Sequence, residues 1–146
     1  MARQRTAGAA MKVEFISQSA EVPLPLFDAS IDTAVVTWSL CSIEEPSCAL
    51  QQIRRVLKPA GQLIFIEHGL ARDWGVVVWQ NRLTPLWKQV TGGCHLNRKV
   101  DELITAAGFQ IVDLKTGYLP GPRPMNYTYQ GIARLAGAPD SSGCAP

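Results

Sequence analysis

An α/β fold, with an open and mostly parallel sheet carrying helices on its faces, is what this sequence predicts. Three observations carry the prediction. Asp32 to Trp38 and Leu63 to Ile66 are short, near-continuously apolar runs of the kind that form strands buried on both faces. A segment of helical period lies between them, so the second strand can return parallel to the first. The last two β-type runs, Phe109–Leu114 and Tyr127–Leu135, are joined by the connector Gly117 to Asn126. That connector is too rich in proline to hold a crossover helix, which predicts an antiparallel hairpin.

The elements follow in order. Residues 1–12 carry three bases, no acid and several alanines, and contain too few large apolar residues to form a core element. Val13 to Ser17 reads as a short strand, followed by a loop with two prolines and then the strand Asp32–Trp38. Ser42-Ile43-Glu44-Glu45 has the form of a capping box, and Pro46 sits where a first helical turn tolerates it. Leu50, Ile53, Val56 and Leu57 recur at helical spacing, and Lys58-Pro59-Ala60-Gly61 turns the chain into Leu63–Ile66. That strand ends in Glu67-His68-Gly69. From Val76 to Val90 the apolar positions again advance at helical period, with Pro85 set to kink or divide the helix. Asn97 is placed to cap a last helix with Val100, Leu103, Ile104 and Ala107 on one face, ended by Gly108. One domain over residues 1–136 and a small, polar, disordered tail over 137–146 complete the reading.

Composition narrows the function classes. The chain of 146 residues is 47% hydrophobic and 18% charged, which excludes wholesale disorder. A net charge of +2 is too small to point to nucleic acid as a partner. No apolar run approaches the ~20 residues of a membrane-spanning helix, and no signal-like block follows the basic N-terminus. Four scattered cysteines without a CxxC pair read as reduced thiols of a cytoplasmic protein.

The ordered set Ala20-Glu21-Val22-Pro23-Leu24, Asp28-Ala29-Ser30-Ile31-Asp32 and Arg55-Val56-Leu57-Lys58-Pro59-Ala60-Gly61 resembles the class I S-adenosylmethionine-dependent methyltransferases. The resemblance is to the branch related to ubiquinone and menaquinone biosynthesis and the methyltransferase-like thiol and lipid-associated group. It continues through Gly92-Gly93-Cys94-His95-Leu96-Asn97-Arg98 and the ending from Tyr118 to Arg134. It implies a partial Rossmann-like sheet, S-adenosyl-L-methionine as cofactor, and methyl transfer to a small, apolar acceptor. It also implies that the family's Gly-rich turn and acidic strand end are missing, since no G-x-G precedes Val13 and no acid precedes Glu14. On that mapping the first two strands and first helix are absent. The chain alone is then expected to bind cofactor only in the millimolar range or more weakly. The rival reading is a non-catalytic half-domain or interaction fragment. A nucleotide-dependent oxidoreductase finds no Gly-rich fingerprint in its support.

The resemblance also supplies site residues. Ser19 and Ala20 fall in the loop that reaches the adenine, and Trp38, Ser39 and Cys41 lie at the C-terminal end of a strand, where open α/β sheets place ligands. Trp38 is equally readable as core, and the 19–20 loop as merely polar. His68 ends the next strand on the same edge and is the candidate catalytic base, or else a histidine satisfied by backbone. Cys41, Cys94, His68 and His95 match no zinc spacing, so no metal is expected. Neither thiol is needed as a nucleophile, because sulfonium chemistry requires no covalent enzyme intermediate. Trp74, Trp79, Leu83, Leu86 and Trp87 form an apolar surface that either packs on the sheet or lines an acceptor pocket. Arg54, Arg55 and Lys58 read as a solvated helix face. Finally, the strand Asp32–Trp38 is left with an open edge, which predicts either direct pairing with Val13–Ser17 or a homodimer through that edge.

Overall fold

The computed structural model describes residues 12–137. The expectations for residues 1–11 and for the tail beyond Gly137 lie outside them. We label the strands β1 (Ile31–Thr37), β2 (Leu57–His68), β3 (Phe109–Tyr118) and β4 (Tyr127–Leu135), and the helices α1 (Pro46–Val56), α2 (Trp74–Val90) and α3 (Val100–Ala106). The sheet order is β1-β2-β4-β3. β1 runs parallel to β2, whereas β4 is antiparallel to both β2 and β3. The α/β class and the C-terminal hairpin are therefore as expected, but the sheet is not mostly parallel: β4 inserts between β2 and β3, which makes two of the three pairings among the described residues antiparallel and leaves β3 at the edge.

The core lies between one sheet face and the helices α1 and α3. Val36, Leu63, Phe65, Tyr129 and Ala133 point from the strands into a cluster with Leu50, Val100 and Ile104. Alternation does the sorting, since Val35, next to buried Val36, is 64% exposed on the opposite face. Gly108 ends α3 with φ of +84°, a conformation that an L side chain resists.

Several local expectations are corrected. Val13–Ser17 forms no strand, and no regular element occurs from residue 12 to 30. Direct pairing with β1 is therefore not made: its apolar run is too short to offset the ordering cost of a strand without core contacts. Among the described residues, β1 has β2 as a neighbour on one side only. Lys58–Gly61 is not a separate turn but a wide irregularity inside β2, where Ile31 faces Leu57 and Thr33 faces Gln62. The capping box at Ser42 is not formed. Glu45 is the N-cap, and the carboxylate of Glu21 accepts its backbone N–H at 2.8 Å. Lys99, not Asn97, precedes α3, because the Asn97 amide is engaged with Asn81 at 2.9 Å. α2 stays one helix through Pro85.

Arg55 is not a solvated cation. Its guanidinium holds the 24–28 loop through Leu24 O (2.8 Å), Leu26 O (3.0 Å) and Asp28 (2.5 Å). Of α2, Val76 packs against the core, but the apolar surface read as possible sheet packing does not lie on the sheet. Trp74, Trp79 and Leu86 are 81%, 56% and 65% exposed, while Leu83 and Trp87 pack beside Cys41, Cys94 and Leu96.

Candidate active site at the C-terminal strand edge

β1 and β2 are parallel and end side by side, so the residues following each are delivered to the same edge. Trp38 extends the ladder by donating its N–H to Ile66 O (3.0 Å), then turns the chain with φ of +52°. A non-glycine residue held there costs roughly 1–3 kcal/mol, a strain kept only where neighbours over-determine it. Here they do. Glu67, fully buried, accepts the Ser39 N–H at 2.8 Å and the Ser39 hydroxyl at 3.4 Å. Burial pushes the Glu67 carboxyl above the ordinary range, against the opposing pull of the Ser39, Leu40 and Cys41 amides. From the other side Arg98 donates to the carbonyls of Leu40, Ile43 (2.5 Å) and Glu44 (3.3 Å). The His95 N–H closes the loop on Cys41 O at 2.8 Å. Residues 38–44 are thus held by their amides on a carboxylate and by their carbonyls on a guanidinium.

Three side chains meet beneath this loop. His68 Nε2 and Cys94 Sγ form a hydrogen bond at 2.9 Å, and Cys41 Sγ lies within 4.8 Å of both ligand atoms. All three residues are buried, and both thiols are free. A hydrogen bond from Cys41 brings the Cys94 thiol down to about 7; the same bond, with burial, pushes Cys41 up. His95 is lowered by burial and by the Arg98 charge. Trp38, 44% exposed, covers His68 with ring centroids 5.4 Å apart. Among the described residues, two buried polar atoms have no partner, Glu67 Oε2 and His68 Nδ1.

The structure therefore brings Trp38, Ser39, Cys41 and His68 together. Ser19 lies on an exposed loop, its hydroxyl donating to Glu21 Oε2 at 2.8 Å, with half-buried Ala20 beside it. Glu21 ties that loop to Glu45 at the start of α1. Cys94, Glu67 and Arg98 belong to the site but were not selected from the sequence as binding residues. His68 and Cys94 are 26 residues apart, so no local spacing joins them. The signal that could have found Glu67 is a carboxylate at the end of a buried strand, where it must be paired.

Known methyltransferases resemble this chain in sequence and in fold. A family pattern described as a methyltransferase domain matches residues 1–65. Through these residues the chain is similar to the class I S-adenosylmethionine-dependent methyltransferases. It is 41% identical over 103 residues to the rat thiol S-methyltransferase TMT1B, covering 69% of this chain and 42% of that protein. It is 32% identical over 123 residues to human thiol S-methyltransferase TMT1A, covering 79% of this chain and 49% of that one. The chain thus spans less than half the length of these relatives. Among solved structures, a methyltransferase from Methanosarcina mazei superposes with a TM-score of 0.65 at 22% identity, over 86% of this chain and 68% of that one. The [4+2]-cyclase SpnF superposes at 0.62 and 23% identity, over 92% of this chain and 60% of that one. These two likenesses show the fold alone, and a cyclase on the same fold shows that the fold does not fix the reaction.

Proposed function

We propose that the chain forms the acceptor side of a site that methylates small thiols with S-adenosylmethionine. The observation that carries this reading is the rigid 38–44 loop at the C-terminal strand edge, with the half-exposed Trp38 ring above a buried His68–Cys94–Cys41 group. The names of the TMT1 relatives support a thiol over an amine or phenol. In such a transfer the acceptor loses its S–H proton to solvent, and the sulfur lone pair attacks the methyl carbon. The S–CH3 bond forms as the sulfonium C–S bond breaks, releasing a neutral thioether from the cofactor. A thiol of ordinary pKa near 8.5 is a few per cent thiolate at pH 7, so alignment and water exclusion are the main requirements. Ser19 and Ala20 would flank the adenine side, with Trp38, Ser39 and Cys41 nearer the reacting sulfur.

Incubating the 146-residue chain with millimolar S-adenosylmethionine and a small alkanethiol, with mass spectrometry of the products, tests the proposal. The methyl thioether is expected above the uncatalysed background, and an amine or phenol of similar size is expected to stay unmodified. No thioether from a folded chain, or preferential methylation of the amine, would overturn it.

A further inference from the structure

We propose that Cys41, His68 and Cys94 form a three-ligand site for zinc or a similar thiophilic divalent metal, with the fourth position open to the acceptor thiol. The role of that fourth position rests on the thiol reading above; the metal site stands on the geometry.

The donor set is two thiols and one imidazole nitrogen, the ligand chemistry that zinc favours, with all three ligand atoms within 4.8 Å of one another. Tetrahedral zinc with bonds of about 2.3 Å to sulfur and 2.0–2.1 Å to nitrogen sets its donor atoms roughly 3.5–3.8 Å apart. The 2.9 Å between His68 Nε2 and Cys94 Sγ therefore needs to open by a fraction of an ångström, within the reach of side-chain torsions. The three ligands come from three segments whose positions are fixed independently. Cys41 is on the loop held by Glu67 and Arg98, His68 is the last residue of β2, and Cys94 lies in the turn after α2. Leu83, Trp87, Leu96 and Met125 form an apolar shell around the cysteine pair, which strengthens metal–thiolate attraction by excluding water.

No fourth His, Cys, Asp or Glu among the described residues joins the group. Structural zinc sites are closed by four protein ligands, whereas catalytic ones keep a position for water or substrate. On metal binding the Cys41 and Cys94 thiols each lose a proton to solvent, and the two thiolates neutralise the dication, leaving the open position to an incoming thiol that enters as a third thiolate. Its S–H bond breaks, the proton leaves to solvent and the sulfur binds the metal. The lone pair then attacks the methyl carbon as above, and the product thioether, a poorer ligand than a thiolate, departs. No oxidant or reductant is needed.

Cobalt(II) titration of the whole chain, kept reduced with a phosphine and free of added thiol, tests the site on wild-type protein. Tetrahedral thiolate-to-cobalt absorption that zinc displaces one-for-one is expected, together with a rise in Tm on zinc addition. Cys41→Ser and Cys94→Ser should each weaken zinc binding by more than the roughly 10–100-fold that losing a supporting partner costs. Addition of a small alkanethiol should shift the cobalt spectrum. Absence of the thiolate-to-cobalt bands in folded, reduced wild-type chain would overturn the metal site. Metal binding with a spectrum indifferent to the thiol would overturn the open position. Thioether formation by chelator-treated chain would overturn the metal's role while leaving thiol methylation in place.

Discussion

Replacing Arg98 by Met removes the guanidinium that holds the carbonyls of Leu40, Ile43 and Glu44, while keeping most of the packing of its stem. Each hydrogen bond to a charged group is worth about 1.5–3 kcal/mol in partly buried surroundings. The three do not add, because the Glu44 bond is long and exposed and the freed carbonyls recover some water. We expect a loss of about 2–4 kcal/mol, and at this chain length each kcal/mol lowers Tm by roughly 3–4 °C. The assay is urea unfolding followed by tryptophan fluorescence, with the midpoint falling and the slope unchanged. Lys99→Met is the control. Its partner Glu102 lies at 2.7 Å, but both side chains are more than half exposed, so water and salt screen the pair and its loss should leave the midpoint nearly unchanged. Faster hydrogen exchange at the Ser42 and Ile43 amides, both bonded to Ser39 O, should accompany the Arg98 change alone. Equal midpoints for the two variants would refute the clamp.

Three further outcomes are expected. Gly69→Ala places a Cβ 2.4 Å from Arg98 O and 2.9 Å from a Val100 methyl, and should cost about 1–3 kcal/mol in calorimetry; an unchanged Tm contradicts the close approach. Because the Glu67 carboxyl is raised by burial, its contribution to stability is fully present below its unfolded pKa and fades as pH rises through the folded value. Glu67→Gln should abolish that fall, so parallel stability–pH curves for wild type and variant would count against the assignment. The side of β1 that has no partner strand among the described residues should make the chain self-associate, and Val35→Lys, at a 64% exposed position, should shift sedimentation toward monomer; a wild-type monomer at high concentration contradicts this.

The strands and helices with dense apolar patterns were legible in the sequence, as was the antiparallel hairpin, because burial on one face imposes its own period. β4 was read to the residue from its alternation, and the edge that gathers Trp38, Ser39 and His68 followed from the parallel order of β1 and β2. Val13–Ser17 failed because a β-type run says nothing of whether a partner strand exists beside it. The capping box at Ser42 failed for a related reason, since the N–H of Glu45 is taken by Glu21, 24 residues earlier, and not by a local cap. The same non-locality hid the Cys41–His68–Cys94 group. Its members sit on one strand end and two loops, and only the fold brings them within a single coordination sphere's width.

The central claim is that the acceptor thiol is held at the C-terminal edge of β1 and β2. Amide and indole NMR shifts of the chain, recorded with S-adenosylmethionine and a small alkanethiol added in turn, test it most directly. Thiol-induced shifts concentrated at Trp38 to Cys41, at His68 and around Cys94 are the predicted result. Shifts confined to the open sheet face around Val35, Ile64 and Gln130, with the 38–41 loop silent, would contradict the account.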